Sequence, residues 1–134
     1  MENATVENEK IKNYMEDLKK DVTILESNLH DKTLSIPAIK VKWIGILHAE
    51  TAYLKKLENA DKQLLNNACL SNPNKPRFQH EAELLANGKL KLIRDGIEIQ
   101  KEVVSFLKDV VNIVIAQLGY DTSSCVKLMQ IEQQ

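Results

Sequence analysis

The stretch LKLIRDGIEIQKEVVSFLKDVVNIVIAQL, residues 90–118, holds the most regular apolar pattern in the chain. Its apolar residues recur at alternating spacings of three and four, and Gln100 is the one polar side chain in the series. The series consists of Leu90, Ile93, Ile97, Gln100, Val104, Leu107, Val111, Val114 and Leu118. Because this heptad rhythm gathers the side chains on one side of a helix, it predicts a helix that packs against another helix.

The apolar surface of this helix is wider than one neighbouring helix would cover. Two further rows lie beside the series, and they widen the apolar arc to roughly 160° of the helix. These rows are Ile99, Phe106 and Ile113, and Val103 and Val110. A short chain offers little else to cover the arc, so we expect this helix to join copies of the chain. The predicted interface residues are Ile97, Val104, Phe106, Leu107, Val110, Val111, Val114 and Leu118.

Length and composition favour an all-helical protein. A chain of 134 residues fits one domain, which is small for burying a core alone. Aromatic residues make up 4% of the sequence, so the core must be aliphatic. Leu, Ile and Val mixed with Lys, Glu, Gln and Asn indicate helices. We expect a single helical domain over residues 1–134, with an N-terminal part at 1–78 and C-terminal helices at 79–134.

The sequence also predicts an intracellular protein that does not enter a membrane. Cys69 and Cys125 fit neither a metal site nor a disulfide framework, and such cysteines are typical of reduced thiols. The N-terminus is acidic and polar, which does not match a signal peptide. The most apolar stretch, Val103 to Leu118, contains Lys108 and Asp109 and is too short and polar to span a bilayer.

Local signals divide the N-terminal half into two helices. A narrow apolar stripe predicts an amphipathic helix from about Val6 to Val22. Residues 23–35 have no sustained period, and we expect an extended connection there. Ser35 can cap the next helix and Pro37 fits its first turn, so a long helix is predicted from this point to about Leu70.

Turn residues divide the C-terminal half in the same way. Two prolines and two asparagines within residues 71–76 predict a turn. Asn87-Gly88 predicts the end of a short helix that follows this turn. The heptad helix is expected to end at Gly119, after which Asp121 or Thr122 can cap a last short helix.

Charge is distributed unevenly along the chain, although the formal net charge is only −1. Residues 1–31 carry four basic and eight acidic side chains, a balance of −4, and residues 95–134 carry three and six, a balance of −3. Residues 32–94 carry eleven basic and five acidic side chains, a balance of +6. A basic middle between acidic ends permits a site for a polyanion, and a solvated helix surface is the alternative.

No group of residues predicts catalysis, a cofactor or a metal. There is no Gly-rich phosphate loop. His48 and Glu50 have the H-x-E spacing of zinc deaminases, but the cysteine pair that would complete the metal site is missing, so a surface pair is expected. His80 beside two glutamates is a similar near-match, and packing is expected for Cys125. We therefore expect a protein that is not an enzyme.

The basic residues are better suited to binding nucleic acid than to catalysis or metal binding. Lysines without side chains that read base edges predict phosphate contacts, whose affinity depends on salt and not on sequence. Trp43 could stack on a base, but it shares an apolar stripe with Ile39 and Ile46, which favours core packing. The candidates are Lys40, Lys42, Trp43, Lys55, Lys56, Lys62, Lys75 and Arg77, with Lys89, Lys91 and Arg94 further along. Assembly of several copies would multiply these modest contacts.

Two parts of the sequence resemble the UvsY family, the recombination mediator proteins of T4-like phages. The N-terminal part is Asp17-Leu18-Lys19-Lys20-Asp21-Val22, followed by Leu29 and then by Lys42-Trp43-Ile44. The C-terminal part is the stretch KEVVSFL at 101–107, followed by Gly119-Tyr120. The order and spacing of these segments, which together cover most of the chain, carry the resemblance.

The resemblance implies an all-helical protein that forms a ring-shaped homo-oligomer, a hexamer or heptamer, through its C-terminal helices. Such a protein binds single-stranded DNA and helps to load the phage recombinase onto strands covered by the phage single-strand-binding protein. It acts in the cytoplasm of the infected bacterial host. Lys19, Lys20, Lys42 and Trp43 fall at matching positions and join the candidate DNA-binding residues.

One departure from the family concerns the end of the long helix. The family has basic residues there that are implicated in DNA binding, whereas residues 64–70 here read LLNNACL and carry no positive charge. Either the DNA contacts move to other lysines of the basic middle segment, or binding is weaker. The alternative function is a helical adaptor or scaffold whose wide apolar arc binds the helix of a partner protein, without DNA.

Overall fold

The chain is all-helical in the computed structural model, which describes residues 8–23 and 29–132, with side chains for 8–23 and 34–123. No strand occurs within these ranges, as the sequence predicted. The α-helices are α1 (Glu9–Val22), α2 (Leu29–Ser71), α3 (Arg77–Ala86), α4 (Lys89–Asp109) and α5 (Ile115–Glu132), and a π-helical turn, Val110–Val114, joins α4 to α5.

The chain divides into two compact units. Unit 1 comprises Met1–His48 and Ser105–Gln134, and unit 2 comprises Ala49–Val104. The core of unit 1 includes Ile39, Trp43, Leu107, Val110, Ile115 and Leu118, and that of unit 2 includes Leu65, Leu90, Ile97, Val103 and Val104. The expected single domain with parts at 1–78 and 79–134 stays a prediction.

Helix α2 begins earlier than the sequence analysis predicted. Residues 29–35 are helical, where an extended connection was expected, so Pro37 lies inside the helix and not in its first turn. A proline at this position removes one backbone hydrogen bond of the helix. The apolar residues that follow Pro37 on α2 supply the packing that holds the helix together despite this loss.

The turn that ends α2 and the helix that follows it agree with the prediction. Helix α2 ends at Ser71, and α3 begins at Arg77 after the Pro- and Asn-rich segment. Gly88 has a φ of 84°, which is the left-handed conformation that glycine adopts without strain. The Asn87 side chain then accepts a hydrogen bond from the backbone N–H of Lys89 at 3.0 Å, so the same dipeptide ends α3 and starts α4.

The C-terminal helix continues past Gly119 to Glu132, and its expected end at Gly119 is wrong. Thr122, an expected cap, is buried in mid-helix and donates its hydroxyl to the carbonyl of Leu118 at 2.7 Å. Helix α4, the π-helical turn and α5 form one continuous helical stretch. Its buried side chains in unit 1 are Leu107, Val110, Ile115, Leu118 and Thr122. The five-residue step between Val110 and Ile115 spans the π-helical turn, whose i to i+5 geometry keeps both side chains on the buried side.

One helical stretch among the described residues, Lys89–Ser123, is long and apolar enough to cross a membrane by length and composition alone. About a third of its most apolar part is buried inside the chain. The core helix of a water-soluble protein passes the same test, so the stretch is weak evidence for a membrane span. The expectation that the protein does not enter a membrane stays a prediction.

Candidate nucleic-acid interface

An exposed face of α2 in unit 2 carries three lysines and three amides, with the half-buried carboxylate of Glu58 at its edge. Lys55 and Lys62 lie seven residues apart and therefore share this face, with Lys56 beside them. All side chains of the face are exposed. We call it the lysine face, and it consists of Lys55, Lys56, Asn59, Lys62, Gln63 and Asn66.

Two acidic residues lie next to the lysine face, Glu58 and Asp61, and neither forms an ion pair with its lysines. Asp61 accepts a hydrogen bond from Nε of Arg94 at 3.0 Å, and Nη1 of the same arginine contacts Glu81 at 3.0 Å. Hydrogen bonds to Asp61 and then to Glu81 hold the pKa of Arg94 above its ordinary value. Among the described residues, no carboxylate forms an ion pair with Lys55, Lys56 or Lys62, so their charges face solvent.

The two basic residues near the start of α3 differ in whether their charge can reach a bound nucleic acid. Arg77 is exposed and donates from Nη1 to the side-chain oxygen of Asn66 at 3.0 Å, which places it at one end of the lysine face. Lys75 contacts Glu83 at 2.8 Å, and the hydrogen bond from Lys75 lowers the pKa of Glu83 below its usual value. Arg77 can therefore extend the lysine face, whereas the charge of Lys75 is already paired.

Unit 1 contains a second group of predicted residues, and acidic side chains cover it. Nζ of Lys42 lies 2.9 Å from Oδ1 of Asp17 and 2.8 Å from Oδ2 of Asp21. Burial lowers the pKa of Lys42, but its hydrogen bonds to Asp21 and Asp17 and their charges raise it more, so the pKa lies above the ordinary value. Nζ also lies 5.2 Å from the centre of the Trp43 ring, within the range of a cation–π contact.

Trp43 packs in the core, as the apolar stripe that it shares with Ile39 and Ile46 favoured, and its role in base stacking stays a prediction. Its side chain is 0% exposed, and Nε1 donates to Oδ2 of Asp21 at 2.9 Å. Tyr14 meets the indole edge to face, with ring centres 6.0 Å apart. A base cannot reach either face of this ring while α1 lies against α2.

Three further candidate DNA-binding residues lie on the surface of unit 1. Lys19 and Lys20 are exposed in the last turn of α1, and Lys40 is exposed on α2. Lys20 makes a polar contact within the chain. The structure thus places Lys55, Lys56, Lys62 and Arg77 on one surface of unit 2. Unit 2 also contains Lys75, Lys89, Lys91 and Arg94, and the candidate lysines of unit 1 are Lys19, Lys20, Lys40 and Lys42.

Most of the predicted oligomer-interface residues are buried by packing within the chain itself. Phe106, Val111 and Val114 are partly exposed. The buried members of the set are Ile97, Val104, Leu107, Val110 and Leu118. A second copy could therefore contact only the three partly exposed members of this set. Of the rows that widen the arc, Val103 is buried, whereas Ile113 is 62% exposed.

The near-matches to metal sites do not form one among the described residues, where no group of three or more His, Cys, Asp or Glu side chains gathers. His48 is exposed, but Glu50 is buried, so the expected surface pair is wrong. The Glu50 carboxylate instead accepts a hydrogen bond from Gln100 at 3.1 Å. Cys69 is a free, half-buried thiol, and Cys125 lies outside the described side chains.

Sequence reasoning missed two features of these surfaces. The amides at positions 59, 63 and 66 share the lysine face, and their spacing of three and four residues from one another was a readable signal. The contact of Asp17 and Asp21 with Lys42 joins residues more than twenty positions apart, and helical periodicity carries no signal for it.

Comparison of the chain with protein-family models, curated proteins and solved structures finds no match.

Proposed function

We propose that this protein is a recombination mediator that binds single-stranded DNA and promotes the loading of a phage recombinase onto strands covered by single-strand-binding protein. The observation that carries the proposal is the lysine face, whose three lysines have no acidic partner among the described residues. The resemblance of the DLKKDV and KWI segments to the UvsY family supplies the biological setting. No chemical bond is made or broken in this role.

The chemistry of the lysine face suits a phosphate backbone and not a base sequence. Lysine ammonium groups are strongly hydrated point charges on flexible stems, and they attract phosphates without fixing one geometry. Asn59, Gln63 and Asn66 add neutral donors and acceptors that can bond phosphate or sugar oxygens. Binding is therefore expected to tolerate any sequence and to weaken as salt rises.

The proposed function also needs an oligomer, because one subunit offers few positive charges to a DNA strand. We propose a ring-shaped homo-oligomer, a hexamer or heptamer, in which several lysine faces contact one strand. Linked copies raise the effective concentration of each further contact, so modest patches together bind tightly. A strand that is held along the ring is displaced from its covering protein and presented to the recombinase.

The alternative function, a helical adaptor, is favoured by a different observation. Two residues of the wide apolar arc, Ile99 and Ile113, are 50% and 62% exposed, so part of the arc stays at the surface, where the helix of a partner protein could bind. An adaptor would use these residues and would leave the lysine face in water. The two functions therefore predict opposite results in a strand-binding assay.

The test compares two double variants that remove the same charge. Lys55→Ala/Lys56→Ala removes two lysines of the lysine face, and Lys12→Ala/Lys108→Ala removes two exposed lysines of unit 1 that are outside the candidate DNA-binding set. Affinity for a labelled oligothymidylate is measured by fluorescence anisotropy between about 50 and 200 mM salt. The lysine-face variant should reduce the slope of log affinity against log salt by at least about 1.4, since each lost phosphate contact removes about 0.7.

The control variant should keep the wild-type slope. Equal losses in both variants would show that net charge alone governs binding, and the lysine face would not be the site. Absence of strand binding by the wild type at low salt would overturn the proposed function and favour the adaptor.

A further inference from the structure

We propose that α1 is a strap that covers a second strand-binding element, Lys42 and Trp43, with two of its carboxylates, and is displaced by the strand. This inference rests on the proposed function. Its basis is the cluster in unit 1, where two carboxylates of α1 hold the ammonium of Lys42 and the indole N–H of Trp43.

Two carboxylates of α1 contact the Lys42 ammonium in the way that the phosphates of a nucleic acid backbone would. Asp17 and Asp21 lie four residues apart, so both carboxylates project from one side of the helix. Together they place two anionic oxygens within 2.9 Å of the Lys42 ammonium, as phosphate oxygens of a bound strand would. A polyanion that reaches Lys42 therefore replaces these bonds with equivalent ones.

The attachment of α1 combines polar contacts with a half-buried apolar stripe. No side chain of this 14-residue helix is fully buried. The side chains of Lys42 and Asp17 are 39% and 43% exposed, and that of Asp21 is 20% exposed. The more exposed ion pair, Lys42 with Asp17, is screened by salt and contributes little to stability. An element held in this way opens at a lower cost than the core of the unit.

Displacement of α1 would uncover a pair of groups that suits single-stranded DNA. The Trp43 ring would lose its Tyr14 neighbour and its Asp21 partner, and it would lie beside the freed ammonium of Lys42. An aromatic ring next to a lysine combines base stacking with a phosphate contact, and such stacking accepts every base.

The test uses Trp43 itself as the reporter, because it is the only tryptophan in the sequence. Its emission shifts to the red when the ring meets water and falls when a base stacks on it. The full-length protein is titrated with oligothymidylate while Trp43 emission and strand binding are recorded together. A fall in emission that follows strand binding is the expected result.

Two double variants with the same charge change separate the strap from general electrostatics. Asp17→Asn/Asp21→Asn weakens the hold of α1 on Lys42, and Glu9→Gln/Glu16→Gln alters exposed acids of the same helix outside the cluster. The first variant should bind the strand about threefold to tenfold more tightly than the second, and its free Trp43 emission should be shifted to the red. Circular dichroism tests whether both variants remain helical.

Each outcome decides between the two proposals. Strand binding that depends on Lys55 and Lys56, with unchanged Trp43 emission and equal affinities for the two variants, overturns the strap and leaves the proposed function standing. If Asp17→Asn/Asp21→Asn fails to fold, the wild-type titration decides, since unchanged emission alone contradicts displacement. Absence of strand binding in every protein overturns both proposals.

Discussion

At the scale of single residues, Gln100 shows how one polar side chain can sit within an apolar series. It is buried on α4, and its Nε2 donates to the backbone carbonyl of Glu50 at 2.9 Å and to the Glu50 carboxylate at 3.1 Å. A buried carboxylate needs such donors, because an unsatisfied polar group in a core is costly. The glutamine thus makes the burial of Glu50 possible.

Gln100→Leu would complete the apolar series of the sequence, yet we expect it to lower the free energy of unfolding by about 1–3 kcal/mol. The reason is that Glu50 loses a donor that water cannot replace. Urea unfolding followed by circular dichroism measures the change. Gln63→Leu, on the exposed lysine face, is the control and should change stability by less than about 0.5 kcal/mol. A Gln100→Leu variant as stable as the wild type would show that the bond to Glu50 contributes nothing.

At the scale of helices, local sequence signals predicted the turns between helices correctly, but they did not predict where α2 begins or that the C-terminal helix continues past Gly119. Asn87-Gly88 and the segment at 71–76 act through backbone conformations that a few residues determine, and both were predicted correctly. The start of α2 at Leu29 and the continuation through Gly119 differ from what the local sequence signals predicted. Tertiary partners such as Asp21 for Trp43 lie too far away in sequence to be read from periodicity.

The π-helical turn at Val110–Val114 explains why the buried face departs from the heptad series. The series continues through Val111 and Val114, but the fully buried positions are Val110 and Ile115. An inserted residue widens one turn and rotates the following helix, so the buried side is formed by residues next to those expected. This shift cannot be read from spacing, because the apolar residues at 110, 111, 113, 114 and 115 satisfy several registers at once.

We expect deletion of Asn112, which is exposed in this turn, to convert the π-helical turn into ordinary α-helix with little loss of stability. The step from Val110 to Ile115 would shorten from five residues to four, and a four-residue step keeps both on one side of an α-helix. Deletion of the exposed Gln117 is the matched control, and it would rotate Leu118 by about 100° away from the core. Since Leu118 is buried, the control should lose about 2–5 kcal/mol in thermal or urea unfolding. Similar losses in both deletions would mean that the π-helical turn is needed for the fold.

At the scale of the whole molecule, packing within the chain buries part of the apolar arc that the sequence assigned to contacts between copies. The apolar arc read from the sequence included residues that the chain buries for itself, among them Leu107, which is 0% exposed. A charge at Leu107 would disturb folding and assembly together and could not separate them. The outward-facing Ile113, at 62% exposed, offers a cleaner probe of contact between copies.

We therefore expect Ile113→Lys to reduce the mass of the particle in solution, measured by light scattering, while leaving the helical content unchanged. The neighbouring Asn112→Lys adds the same charge at an exposed polar position and should keep the mass of the wild type. A buried lysine at an interface between copies must lose its hydration, which weakens that contact, whereas a lysine in water costs nothing comparable. A monomeric wild type would rule out the ring. An Ile113→Lys variant of wild-type mass would place the contact between copies on another surface, and the lysine faces would then have to be brought together through different residues.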